Sequence, residues 1–261
     1  MLKTPLAALG AVAPFVAIAV LYFVLGAEWG ALGVIVAVCA GLCLLSYIVA
    51  AVSAVTSLGE FMRGWLIGLN AALNAVFGFA VGTWIGGTPL GAVFAAVLAV
   101  INLLCVIAPV TQNGFYQGVL GYWNWLMPMS WLIVALGFAF YVVSFVLHLV
   151  TAGKVNYLRI QDVGADWKTG TFFIRGGLIA NLNYLDTAFN MGNFSFVDYK
   201  SDGWHKDHEA GHTLNLAAFG AVFHLVGAFD ENVLRKENAY AERLAESNNP
   251  GSTLPQIPMW T

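Results

Sequence analysis

The sequence predicts a mainly α-helical membrane protein, with about five transmembrane helices followed by a small β-rich segment and a pair of more polar helices. Three observations predict it. The 261 residues are 59% hydrophobic and only 10% charged, where a soluble domain carries about a quarter charged residues. Residues 1–150 contain just Lys3, Glu28, Glu60 and Arg63 as charged side chains, so the net charge of −3 falls on residues 151–261. Five apolar stretches reach the length of about 20 residues that a spanning helix needs.

Those stretches are 6–26, 30–52, 64–85, 90–110 and 129–150, and they define a transmembrane domain over residues 1–153. Lys3 precedes the first, which exceeds the apolar core of a secretory signal and reads as a retained helix. Ala27 to Gly30 separates the first two spans, and Ser57 to Arg63 the next two. Gly86-Gly87-Thr88-Pro89 predicts a tight turn between spans three and four. Residues 111–128 carry Gln112, Asn113, Gln117 and Asn124. With Trp123, Trp125 and Trp131 they read as a loop and a surface-lying helix at the membrane interface.

Within the spans, Asn70, Asn74 and Asn102 predict hydrogen bonds between helices. No Asp, Glu, Lys or Arg lies mid-span, which disfavours a transporter or channel. Cys39, Cys43 and Cys105 sit in apolar runs and read as small fillers, not as a disulfide framework. The basic residues favour neither side of the membrane for the C-terminal part.

Residues 154–200 form the β-rich segment. The runs 155–160, 171–175 and 194–198 alternate like strands, punctuated by glycines and by Asn190-Met191-Gly192-Asn193. They predict a small antiparallel sheet or set of hairpins. In a peptidase, an exposed edge of such a sheet holds an extended substrate by strand addition.

Residues 201–261 comprise a helix from about Asp202 to Phe229, an acidic helix from Val233 to Ser247, and an extended tail with Pro250, Pro255 and Pro258. The first helix carries His208-Glu209-Ala210-Gly211-His212, and four of the five histidines fall within 20 residues there. Positions four apart on a helix lie about 40° apart on one face, so His208 and His212 can close on one metal ion. Zinc suits two neutral imidazoles and a third protein ligand, with one position left for water. Glu209 leaves the helix beside His208 and can act as the base for that water without binding the metal.

Three glutamates and one histidine compete for the third position. Glu242 is favoured because a separate helix folding back can carry it over the motif. Glu231 stands about 28 Å along the axis from His212 if the first helix is straight. Glu237 and His205 complete the set of candidates. His224, about three turns beyond His212 and rotated away from it, reads as a satisfied core histidine.

The pentapeptide followed by an acidic helix resembles the zinc metallopeptidases that use a glutamate as third ligand, the gluzincins. The apolar surroundings are similar to the membrane-embedded members, among them the CAAX-processing and site-2 types. The resemblance covers about residues 200–248; no specific family is named for the N-terminal part or for residues 154–200. It implies that Glu242 binds the metal and that Glu246, four residues on, supports a ligand histidine. In the family pattern that second acid is Asp.

The expected function is a multi-pass integral membrane zinc metallopeptidase that hydrolyses peptide bonds with Zn2+ and Glu209 as general base. Tyr240, Tyr199 and His205 are the candidates for stabilising the oxyanion. The expected partners are the lipid bilayer, a peptide or membrane-protein substrate, and other membrane subunits. Nucleic acid is excluded, because phosphate binding needs a basic surface. The competing reading is a non-catalytic membrane anchor or assembly subunit with a structural metal or a pseudo-peptidase site.

Overall fold

The structure, a computed structural model, describes residues 3–25, 29–182, 188–198, 205–253 and 256–257. Among these, five helices are long and apolar enough to cross a membrane: Pro5–Leu25, Gly30–Val52, Ser57–Val106, Pro128–Val150 and Lys206–Asn238. Ser57–Val106 carries stretches 64–85 and 90–110 as two arms joined at Gly86 and Gly87, where the sequence predicts a turn. The addition to the expected set is the helix bearing the histidine motif.

The N-terminal helices are α1 (Lys3–Leu25) and α2 (Trp29–Val52). The next, α3 (Ser57–Leu103), starts on a cap in which the Thr56 hydroxyl accepts from the Gly59 N–H at 3.2 Å. It breaks at Gly86 and Gly87, and its arms fold back on each other with the backbones of Gly82 and Gly91 in contact. Two short helices follow, α4 (Ala108–Thr111) and α5 (Gly114–Trp123), the second capped by the Asn113 side chain. The apolar helix α6 (Trp131–Val150) completes this part. Cys39, Cys43 and Cys105 are buried between these helices.

A 3-10 turn at Asn156–Leu158 stands where the alternation predicts a strand, and β1 starts only at Ile160. The strands are β1 (Ile160–Asp166), β2 (Thr171–Gly176), β3 (Ala188–Met191) and β4 (Phe194–Val197), with a short helix α7 (Gly177–Leu182) after β2. Their order is β1-β2-β4-β3. The sheet is mixed, not antiparallel throughout: β2 and β4 run parallel, while β1–β2 and β3–β4 are antiparallel. The chain leaves β2 through α7 and returns as a β3–β4 hairpin, which sets β4 beside β2 in the same direction. Ile174, Phe194 and Phe196 of the sheet pack against Ile133 and Val134 of α6 and Leu216 of the motif helix.

That helix, α8 (Lys206–Phe229), begins after His205, which has φ 46; Asp202, the expected start, lies outside the described residues. It is not straight. Gly220 has φ 81 and ψ 176 and divides α8 into two segments. A side chain is doubly excluded at Gly220, by that backbone conformation and because a Cβ would lie 2.5 Å from Asn70 Oδ1.

The break frees carbonyls from their helical partners inside an apolar core, where an unmet polar group costs about 1–3 kcal/mol. Two of the three span asparagines take them up. Asn70 Nδ2 donates to Ala217 O at 3.2 Å and Ala218 O at 3.0 Å, and Asn102 Nδ2 donates to Ala217 O at 2.6 Å. Asn74 ties the pair together through its contacts with Asn70 and Asn102, each 3.1 Å. The hydrogen bonds expected between helices thus include the caps of a broken helix, and Asn74 Oδ1 also accepts from the Met129 N–H at 3.1 Å.

Beyond Phe229 a π-helical turn (Asp230–Arg235) and a 3-10 turn (Lys236–Asn238) reverse the chain. The last helix, α9 (Tyr240–Glu246), is therefore shorter than the 233–247 that the sequence suggests. Asp230 fixes the reversal. It is 2% exposed, accepts from the Tyr47 hydroxyl at 2.8 Å and the Tyr240 N–H at 3.2 Å, and pairs with Arg235. Tyr47 in turn accepts from the Ala241 N–H at 3.2 Å, so two otherwise orphaned amides at the start of α9 are met. In the tail, the buried Ile257 donates its N–H to Arg243 O at 3.0 Å, which lays this part of the chain on α9.

Candidate functional site

The first segment of α8 presents His208 and His212 one turn apart, and α9 crosses it at that point. The crossing is close because residue 211 is glycine: a Cβ there would collide with the Ala245 carbonyl. Asn215 adds a hydrogen bond from its Nδ2 to Ala241 O at 3.2 Å. The approach brings Glu242 onto both imidazoles. His208 Nε2 is 3.1 Å from Glu242 Oε2, and His212 Nε2 is 3.1 Å from Glu242 Oε1. The two Nε2 atoms are themselves 3.1 Å apart.

Among the described residues, His208, His212 and Glu242 form the group of ligand-type atoms close enough to hold one metal ion, all within 4.8 Å of one another. The spacing fits zinc. Bonds of 2.0–2.1 Å in a tetrahedron put ligand atoms about 3.3 Å apart; the two Nε2 atoms are 3.1 Å apart, and each faces a different Glu242 oxygen at 3.1 Å, Oε2 beside His208 and Oε1 beside His212. The orientation of His208 fits as well. Its Nδ1 lies 2.5 Å from Glu246 Oε2, and a carboxylate accepting there leaves the Nε2 lone pair for a metal. Glu246 is held in turn by Asn249 Nδ2 at 2.9 Å.

The charges follow from this geometry. Burial alone would raise the Glu242 carboxyl, but the His212 and His208 imidazoles outweigh it and hold Glu242 below the usual carboxylate range. Glu246 is brought down to about 2, chiefly by its hydrogen bond with His208.

The group opens on a cleft of about 630 Å³, within the range usual for ligand sites. The walls are β3, both segments of α8, α9, and Asn249, Gly251, Ser252 and Thr253. Glu209 lines the cleft next to the two histidines and is 2% exposed. Its carbonyl accepts from Asn190 Nδ2 at 3.1 Å, which ties β3 to the motif.

The remaining candidate residues are placed as follows. His205 lines the cleft but precedes the helix, so it does not share a helical face with His208 and His212. Glu231 and Glu237 also line the cleft. Glu231 does so because the break at Gly220 and the turn after Phe229 remove the straight axis on which it would be remote. Tyr240 is 1% exposed and turned away, its ring packed on Tyr47 and Phe223 at 5.5 and 6.0 Å between centroids. Burial pushes its hydroxyl up to about 12. Tyr199 lies outside the described residues.

His224 differs most from expectation. The break at Gly220 swings it towards the motif instead of away, and its ring centroid is 6.5 Å from that of His212. Its Nε2 is 3.1 Å from Asn190 O, and both residues line the cleft. The one signal for this placement in the sequence is Gly220 itself, a helix-weakening residue between two apolar runs.

Comparison of the chain with protein-family models, with curated proteins and with solved structures finds no match.

Proposed function

We propose that this chain is a multi-pass membrane zinc metallopeptidase. The observation that carries the reading is the approach of Glu242 to both motif histidines at 3.1 Å, at the wall of an open cleft. His208, His212 and Glu242 would hold the ion, and Glu246 would fix the tautomer and direction of His208. When bound there, zinc would supply a Lewis acid for a carbonyl oxygen and a water acidified to a pKa of about 7.

The chain's own residues do the rest. Glu209, buried beside the ligands, takes a proton from the attacking water and returns it to the leaving amine. Asn190 holds the Glu209 backbone and so positions this base. The edge strand β3 forms one wall of the cleft and suits an extended peptide, whose backbone it would meet by strand pairing. The five apolar helices support a bilayer setting. A purely structural zinc would be expected to have a fourth protein ligand. Among the described residues the group has three members, which favours the catalytic reading.

The test is metal analysis and peptide cleavage by the full chain in detergent. Wild type should bind one zinc per chain and cleave an unfolded protein substrate such as casein. Glu209→Gln should keep the zinc and lose cleavage by at least about a hundredfold. Undiminished cleavage by that variant, or a wild type that binds no zinc, ends the proposal.

A further inference from the structure

His224 lines the cleft, and the reaction above gives it no task. It stands on the second segment of α8, beside His212, and its Nε2 contacts Asn190 O at 3.1 Å. A carbonyl oxygen only accepts, so this nitrogen carries the hydrogen. Asn190 belongs to β3, which pairs with β4 on one side and is the last strand of the sheet on the other. His224 therefore occupies a main-chain acceptor of β3 that an extended peptide laid along this strand would use.

We propose that His224 is a hydrogen-bond donor released by the substrate. In the free protein its Nε2–H rests on Asn190 O. A peptide pairing with β3 offers its own N–H to that oxygen, and the His224 Nε2–H then turns to the scissile carbonyl oxygen as this gains negative charge. One hydrogen bond to Asn190 O replaces another, and no proton changes owner. The donor is worth most in the transition state, where the oxygen carries charge. It is available only to ligands that bring a backbone N–H to β3, so strand pairing and activation are coupled. The inference rests on the metallopeptidase reading and names the oxyanion donor that this reading requires.

The experiment uses the full-length, zinc-loaded protein in detergent and measures affinities, not turnover. Three probes are titrated: acetohydroxamate, which addresses the metal alone; an extended hexapeptide; and a phosphinic peptide of the same backbone, whose tetrahedral group carries the anionic oxygen. In His224→Phe the acetohydroxamate affinity should stay within about twofold, which also reports an intact site. The hexapeptide should bind equally or several-fold more tightly, because Asn190 O no longer has to be vacated. The phosphinic peptide should lose about tenfold or more. His224→Gln, which keeps an N–H donor, should recover part of that loss. Equal weakening of both peptides would reveal a merely structural histidine and overturn the inference, as would an unchanged phosphinic affinity. If acetohydroxamate fails to bind wild type, the zinc reading itself falls, and the donor role falls with it.

Discussion

Asn70 Nδ2 lies 3.0 Å from the carbonyl oxygen of Ala218, a contact across 148 residues of sequence that stops one helix with the side chain of another. Asn70→Leu removes the cap from Ala218 and leaves Ala217 to Asn102 alone. The expected loss is about 1–3 kcal/mol of stability, read as a lower midpoint of thermal unfolding in detergent. Asn232→Ala, at an exposed position, is the control and should leave the midpoint in place. Equal midpoints for both variants would refute the capping role.

Gly220→Ala tests the same break from the other side. The new Cβ meets Asn70 Oδ1 and a backbone conformation that only glycine adopts readily. The expected cost is about 1–3 kcal/mol or more. A variant as stable as wild type would mean that α8 runs through position 220 unbroken.

The third ligand is decided by zinc competition against a fluorescent chelator. Glu242→Ala should weaken zinc binding far more than Glu231→Ala or Glu237→Ala, both of which should match wild type. Glu246→Gln should keep the stoichiometry and lower the affinity by about 10–100-fold, since Glu246 orients His208 without being a ligand. A loss in Glu231→Ala equal to that in Glu242→Ala would reassign the site.

Gly211→Val tests how α9 reaches the histidines. Its side chain collides with Ala245 and pushes α9 away. Zinc affinity should fall by at least about tenfold, while circular dichroism keeps the helical signal of wild type. Retained affinity would show that Glu242 does not depend on the close crossing.

Tyr47→Phe deletes one hydroxyl that serves both Asp230 and the Ala241 amide. A stability loss of about 1–2 kcal/mol is expected, together with weaker zinc binding, because α9 carries Glu242. Loss of stability without any change in zinc binding would separate the anchor from the site.

What could be read from the chain was local. The His208–His212 spacing, the apolar runs and the strands near 171–175 and 194–198 depend on neighbours a few residues apart, and a periodic pattern records them. Features built from distant contacts were not legible. Gly220 looks like one more small residue in an apolar helix until Asn70 and Asn102 supply the acceptors' partners from α3. The same break decides where His224 and Glu231 stand, so an argument from a straight helix misplaces both. The parallel pairing of β2 with β4 was hidden likewise, because alternation reveals a strand and not its direction. The short α9 follows from Asp230, whose bonds to Tyr47 and Tyr240 reverse the chain where composition alone reads as a continuing acidic helix.

The sealed cysteines have a practical consequence. Cys39, Cys43 and Cys105 are 2%, 6% and 1% exposed, so alkylating dyes should find no native thiol in the folded chain. Trp84, near the turn of α3, is 84% exposed. A cysteine placed there would be a unique reporter for impermeant reagents, and sidedness could be mapped without first stripping the chain of its own thiols.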